Sequence, residues 1–310
     1  FLRPLGLRLS LMFFVTGWLN GLSSGFAILV SQWFGAKQYD KMRHYVAMSV
    51  YLAGGCAVLM TAGLLIANEP ILRMMNYSAE IMPEVKQYMG IIYAGLIVTA
   101  AYNSLAAFLR AIGDSKSPLY FLIISAVINV ALDVVFIVVF GMGVEGCAYA
   151  TVIAQAISAL LCFIYIVKKF PILHLTKSDR KISFQSFGRL LSLGIPMGLQ
   201  FSITAIGTII VQGAVNVYGE TYMAGFSAAG KLQNMIMTVF VAFGATVATY
   251  VGQNRGAGRM DRVKSGVRCT QVMILVWSVI AMAAVCFGGK YMTCFNPFLF
   301  LVFFKWLKKT

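Results

Sequence analysis

Long apolar runs alternate with short polar connections along the whole chain. Eight runs stand out, at about 9–33, 45–67, 87–109, 119–140, 146–167, 190–215, 222–250 and 268–288. Each is close to the roughly 20 apolar residues that carry an α-helix across a bilayer. Only helices and closed barrels satisfy every backbone group in lipid. Runs this long and continuous do not read as the alternating strands of a barrel. The pattern predicts an all-α polytopic membrane protein with about eight transmembrane helices.

Composition supports this. Of 310 residues, 60% are hydrophobic and 11% charged, against about 25% charged in soluble domains. The net charge of +15 does not predict a nucleic-acid partner, because its basic residues sit in short loops. Lys37, Lys41 and Arg43 fill 34–44; Arg110 and Lys116 mark 110–118; six basic residues fill 168–189; five fill 251–268. The intervening connections are poor in Lys and Arg, so the basic loops are expected on the cytoplasmic side of a cell membrane. The six cysteines form no CxxC pair, and neither a disulfide framework nor a metal centre is expected. His44 and His174 read as solvated loop residues.

The chain repeats itself. VSQWFGAKQYDK at 30–41 resembles VGQNRGAGRMDR at 251–262, with Val, Gln, Gly, Ala and Asp recurring in register. Each copy sits where an apolar run exits into a basic loop, and duplicated halves are common in transporters. The spacing predicts an N-lobe over 1–167, a cytoplasmic linker over 168–189, a partial C-lobe over 190–290 and an atypical tail over 291–310. One helix is expected before the first run and about three after the last, making parallel six-helix repeats. The start at Phe1 reads as a chain already under way, and the end as truncated or frame-shifted.

Apart from Arg268 at the very edge of the last run, Asp133 and Lys231 are the only formal charges inside the runs. An acid at the bilayer centre costs about 2.5–3.5 kcal/mol on insertion scales and usually marks an ion path. Asn129 lies four residues before Asp133, on the same helix face. Thr151 follows a tight connection, so the three oxygen-bearing groups fall within roughly 8–16 Å of one helix end. They suit Na⁺, or a proton relay. A plain helix-to-helix hydrogen bond at Asp133 is the alternative. Glu145 reads as a solvated loop acid. Lys231 either snorkels or faces a cavity with Gln233 and Asn234, and Gln200 and Gln212 are further cavity candidates. No HExxH, nucleotide-binding loop or GxSxG occurs. The chain is therefore not expected to be an enzyme, and its work would draw on an ion gradient.

The exits VSQWFGAK and VGQNRGAG, with LRAIGDSKSPLYF at 109–121, NVALDVVF at 129–136 and GIPMGLQ at 194–200, resemble multidrug and toxic compound extrusion (MATE) transporters. They are most similar to the branch of the DNA-damage-inducible F proteins. The resemblance covers about 1–290. It implies two lobes around a central cavity, and antiport of cationic or amphipathic drugs against Na⁺ or H⁺ by alternating access in a monomer, with no cofactor. It implies a cation site of Asp133, Asn129 and Thr151, completed by an acid on an earlier helix absent from this chain. The same resemblance leaves open a lipid-linked oligosaccharide flippase of the wider superfamily, or a non-transporting truncated product.

Overall fold

The computed structural model describes the backbone of residues 2–74, 82–215 and 220–307; within these, the side chains of residues 2–11, 13, 74, 205, 209, 212–213, 220–224, 227–228 and 288–307 are not described. Among the described residues ten α-helices follow one another: α1 Leu2–Gly35, α2 Tyr39–Ile66, α3 Asn68–Met74, α4 Met82–Ala94, α5 Leu96–Ala111, α6 Lys116–Val134, α7 Gly143–Lys169, α8 Phe184–Val215, α9 Glu220–Gly256 and α10 Met260–Leu307. Among the described residues there is no strand. Eight spans among the described residues are long and apolar enough to cross a membrane, α4 and α5 together making one of them.

Several helices outrun their apolar stretches. α2, α8 and α10 start at Tyr39, Phe184 and Met260, six to eight residues before the apolar runs at 45, 190 and 268. Backbone hydrogen bonding does not stop where lipid does. An acid placed in the first turn favours the helix N-terminus, and Asp40 and Asp261 occupy the first turns of α2 and α10. These are the Asp residues shared by the repeat. Two expectations are corrected here. Glu145 is not a loop acid but sits in the first turn of α7. His44 lies inside α2, half-buried. The tail after 290 continues the helix α10 as far as Leu307.

The chain forms two compact units. The first holds residues 1–209 and 252–258, the second 210–251 and 259–310. In the first unit, Leu22, Phe26 and Val30 of α1 pack with Met42 and Met48 of α2, Phe108 of α5 and Cys162 of α7. A second cluster joins Val15 and Leu19 to Leu72, Met89, Tyr93 and Leu96. α1 meets α8 along a seam of small residues. A Cβ on Gly21 would stand 2.6 Å from Gly198 Cα, and one on Gly25 would stand 2.6 Å from Gly194 Cα. Such residues let membrane helices approach backbone to backbone, where dispersion rather than water provides the attraction.

The two repeat motifs also meet inside this unit. A Cβ on Gly35 would overlap the carbonyl of Gln253, and a Cβ on Gly256 would overlap the carbonyl of Gln32. Gln253 Nε2–H donates to Ala111 O at 2.8 Å. Each motif then turns through a left-handed residue, at Lys37 (φ 57°) and Gly258 (φ 71°), which are equivalent positions of the repeat. Lysine there carries a steric cost that glycine escapes. Lys37→Gly should therefore raise stability by about 0.5–1 kcal/mol after glycine's greater unfolded-state freedom is subtracted. A thermal melt of purified protein checks this; a lower melting temperature for the variant contradicts it.

The segment between α7 and α8 is fastened down. Asp179 is buried and accepts hydrogen bonds from Thr176 N (2.9 Å), Thr176 Oγ1 (2.6 Å) and Arg43 Nε (3.0 Å). Burial pushes its carboxyl up, but the Thr176 hydrogen bonds and the Arg43 guanidinium outweigh this and hold it below the ordinary carboxylate value. Arg43 also pairs with Asp40. The His44 ring reaches Asp179 O through Nδ1 (3.1 Å) and Ser186 Oγ through Nε2 (3.0 Å).

Candidate ion-coupling site

α6 and α7 are an antiparallel hairpin whose connection is short enough to need two positive-φ glycines, Gly141 (63°) and Gly143 (60°). The last turn before it, Val135–Val139, is wound as a π-helix, with Phe140 N–H donating to Val135 O at 3.1 Å. Wide turns of this kind often accompany functional positions. This one begins two residues after Asp133.

Side-chain hydroxyls fix the register of the hairpin. Ser158 Oγ–H donates to Phe121 O (3.2 Å) and Ser125 Oγ–H donates to Ala154 O (2.6 Å). Four residues up one helix match four residues down the other. A Cβ on Gly146 would stand 2.9 Å from Phe136 Cβ. Continuing that ladder sets Asn129 level with Ala150 and Thr151, and Asp133 level with Gly146 and Cys147. Thr151 turns its Oγ1–H onto Cys147 O at 2.8 Å, leaving its oxygen lone pairs to accept or ligate.

Asp133 and Asn129 are half-buried. Yet Asp133 Oδ1 and Asn129 Nδ2 are each shielded from solvent with no hydrogen-bond partner among the described residues. Buried polar atoms are nearly always paired, so two stranded ones a single turn apart demand an explanation. Among the described residues no basic side chain forms an ion pair with Asp133.

One polar pair escaped the sequence reading. Thr99 on α5 donates a short hydrogen bond to Gln155 Oε1 on α7. Gln155 lies one turn beyond Thr151 on the same helix face, and that spacing was the available signal. The other candidates lie elsewhere. Gln200 is exposed on α8 in the first unit; Lys231, Gln233 and Asn234 are exposed on α9 in the second. The Gln212 side chain lies outside the described residues.

Comparison with known proteins gives a consistent picture. A family model described as MatE matches residues 5–135 and 196–297. The probable multidrug resistance protein YpnP of Bacillus subtilis is 32% identical over 253 residues, covering 80% of this chain and 56% of the relative. The probable multidrug resistance protein NorM of Thermotoga maritima is 24% identical over 269 residues, covering 84% and 57%. The chain thus spans somewhat more than half the length of these curated relatives. A crystal structure of MATE in the bent conformation shares the fold, with a TM-score of 0.83 at 20% identity over 94% of this chain and 65% of that one.

Proposed function

The chain belongs to the MATE family, and from that premise we propose that the protein containing it is a secondary active exporter. It exchanges cationic or amphipathic compounds for Na⁺ or H⁺ by alternating access. The relatives' description as probable multidrug resistance proteins supports this reading.

The observation that carries it is the stranded pair on α6. A carboxylate oxygen inside a span with no partner among the described residues, one turn from an amide whose nitrogen is likewise unpaired, makes a poor structural device; with the amide turned to present its oxygen, it makes a good place to load a cation. Asp133 supplies charge, Asn129 its carbonyl oxygen, and Thr151 the lone pairs left after its hydroxyl proton goes to Cys147 O. Hard cations take ligands of this kind, and a proton would sit on the carboxylate itself. Loading would neutralise the acid and lower the cost of carrying it through lipid. Lys231, Gln200, Gln212, Gln233 and Asn234 are proposed as contacts to the compound being moved. The basic loops face the cytoplasm of a prokaryotic plasma membrane, and the transporter works as a monomer without an organic cofactor.

The test uses the complete reading frame encoding this chain, expressed in a host stripped of its own pumps. Export of a fluorescent cationic dye is followed with Na⁺ withdrawn, and separately with the proton gradient collapsed. Export should stop under one of the two treatments, which names the ion. Export that survives both overturns the coupling.

A further inference from the structure

We propose that the first unit binds an acidic phospholipid in a groove between α2, α5 and α7, acyl chain inward and headgroup on Arg180. The groove encloses about 590 Å³, within the usual range of roughly 300–1,000 Å³ for built ligand sites. Ala53, Gly54, Ala101, Leu105, Phe163 and Val167 are among its walls. Its lining on α5 runs from Ile97 to Phe108, roughly 16 Å at 1.5 Å per residue. That depth matches the roughly 15 Å of hydrocarbon in one leaflet.

An ordinary lipid-facing surface has no lid. This groove has one at its basic end, where the connection after α7 folds back and contributes Leu173, His174, Leu175 and Arg180 to the lining. Leu173 is buried, and His174 Nε2–H donates to Val167 O at 2.8 Å, tying the lid to α7. The bonds to Asp179 described above hold the lid's far side to α2. Because Asp179 is engaged by Arg43 and Thr176, it does not neutralise its neighbour. Among the described residues Arg180 has no hydrogen bond or ion pair. Lys168, Lys169, Lys177 and Lys181 lie in or beside the same connection.

The site is therefore a leaflet-deep apolar slot ending in a cation with no counter-charge. A basic pocket between helices at the headgroup level is what acidic lipids recognise. A neutral lipid would leave Arg180 unpaired, and a cationic drug would be repelled by it. The proposal is independent of the ion-coupling reading and requires only that the chain lie in a membrane.

Protein purified in mild detergent and stripped of lipid is returned to nanodiscs of phosphatidylcholine, with or without phosphatidylglycerol. Lipid retained on release is then counted by native mass spectrometry. Phosphatidylglycerol should be retained and phosphatidylcholine should not. Arg180→Gln, on the exposed lid, should lower retention about fivefold, the worth of one basic side chain near the membrane surface. Gly54→Leu should lower it separately, since nothing lies within 4 Å of a Cβ there and the new side chain enters the groove without a clash. Excess inorganic phosphate should not displace the lipid. Equal retention of both lipids, unchanged retention in Arg180→Gln, or displacement by inorganic phosphate would each overturn the proposal, the last by making this a plain anion site.

Discussion

Asp133→Asn in the complete protein should leave the molecule folded and in the membrane but abolish ion-driven export. The two effects are expected to separate because they have opposite signs. An amide is cheaper to hold in lipid than a carboxylate, so the variant should melt at the same temperature as the parent or slightly higher. The lost charge removes a charge-assisted contact worth about 1.5–3 kcal/mol, which is on the order of a ten- to hundredfold loss in ion affinity. Asn129→Ala should weaken the ion by a smaller factor. Thr151→Ala should do least, because that hydroxyl already satisfies a backbone carbonyl. Resistance to cationic dyes and ion-dependent uptake into vesicles read this series. Undiminished export by Asp133→Asn would reduce that carboxylate to a packing residue.

Gly35→Ala and Gly256→Ala should each be strongly destabilising, and Gly55→Ala should not. At the first two positions a Cβ would enter a backbone carbonyl of the facing segment, at Gln253 and at Gln32. Backbone in a packed helix end yields less readily than a side-chain tip. The cost should sit at or above the usual overpacking range of about 1–3 kcal/mol. Gly55 also lies in a span, but nothing stands within 4 Å of its Cβ position. Replacing a mid-helix glycine there should gain about 0.5–1 kcal/mol. Detergent melts compare the three directly. If Gly35→Ala melts like Gly55→Ala, the close crossing is not present in the protein.

The spans were legible because bilayer thickness imposes a length on apolar runs that few other constraints mimic. Their polar extensions were not, because the start of α2 at Tyr39 is set by backbone bonding and by Asp40 rather than by hydropathy. Asp133 announced itself by the cost of a charge in lipid. Gln155 and Thr99 did not, since an uncharged amide or hydroxyl inside a bundle is commonplace. The motif GIPMGLQ was visible as a resemblance, but the physical work of Gly194 and Gly198 emerges only when α1 lies against them. Glycine has no polarity to read, and a helix apolar on every side has no periodicity that points to its partner. His44 was misjudged because its partners, Asp179 O and Ser186, lie more than a hundred residues away in sequence.

The mutual fit of Gly35 and Gly256 also bears on substitution. Each copy of the duplicated segment contributes one bare α-carbon and one carbonyl, so neither glycine can accept a side chain while the carbonyl facing it stays in place. A side chain at either position would have to be met by a shift of the facing backbone. At position 37 one copy carries lysine where the other has Gly258, which has open space around its Cβ position, so the turn beyond the crossing has room for a side chain that the crossing lacks.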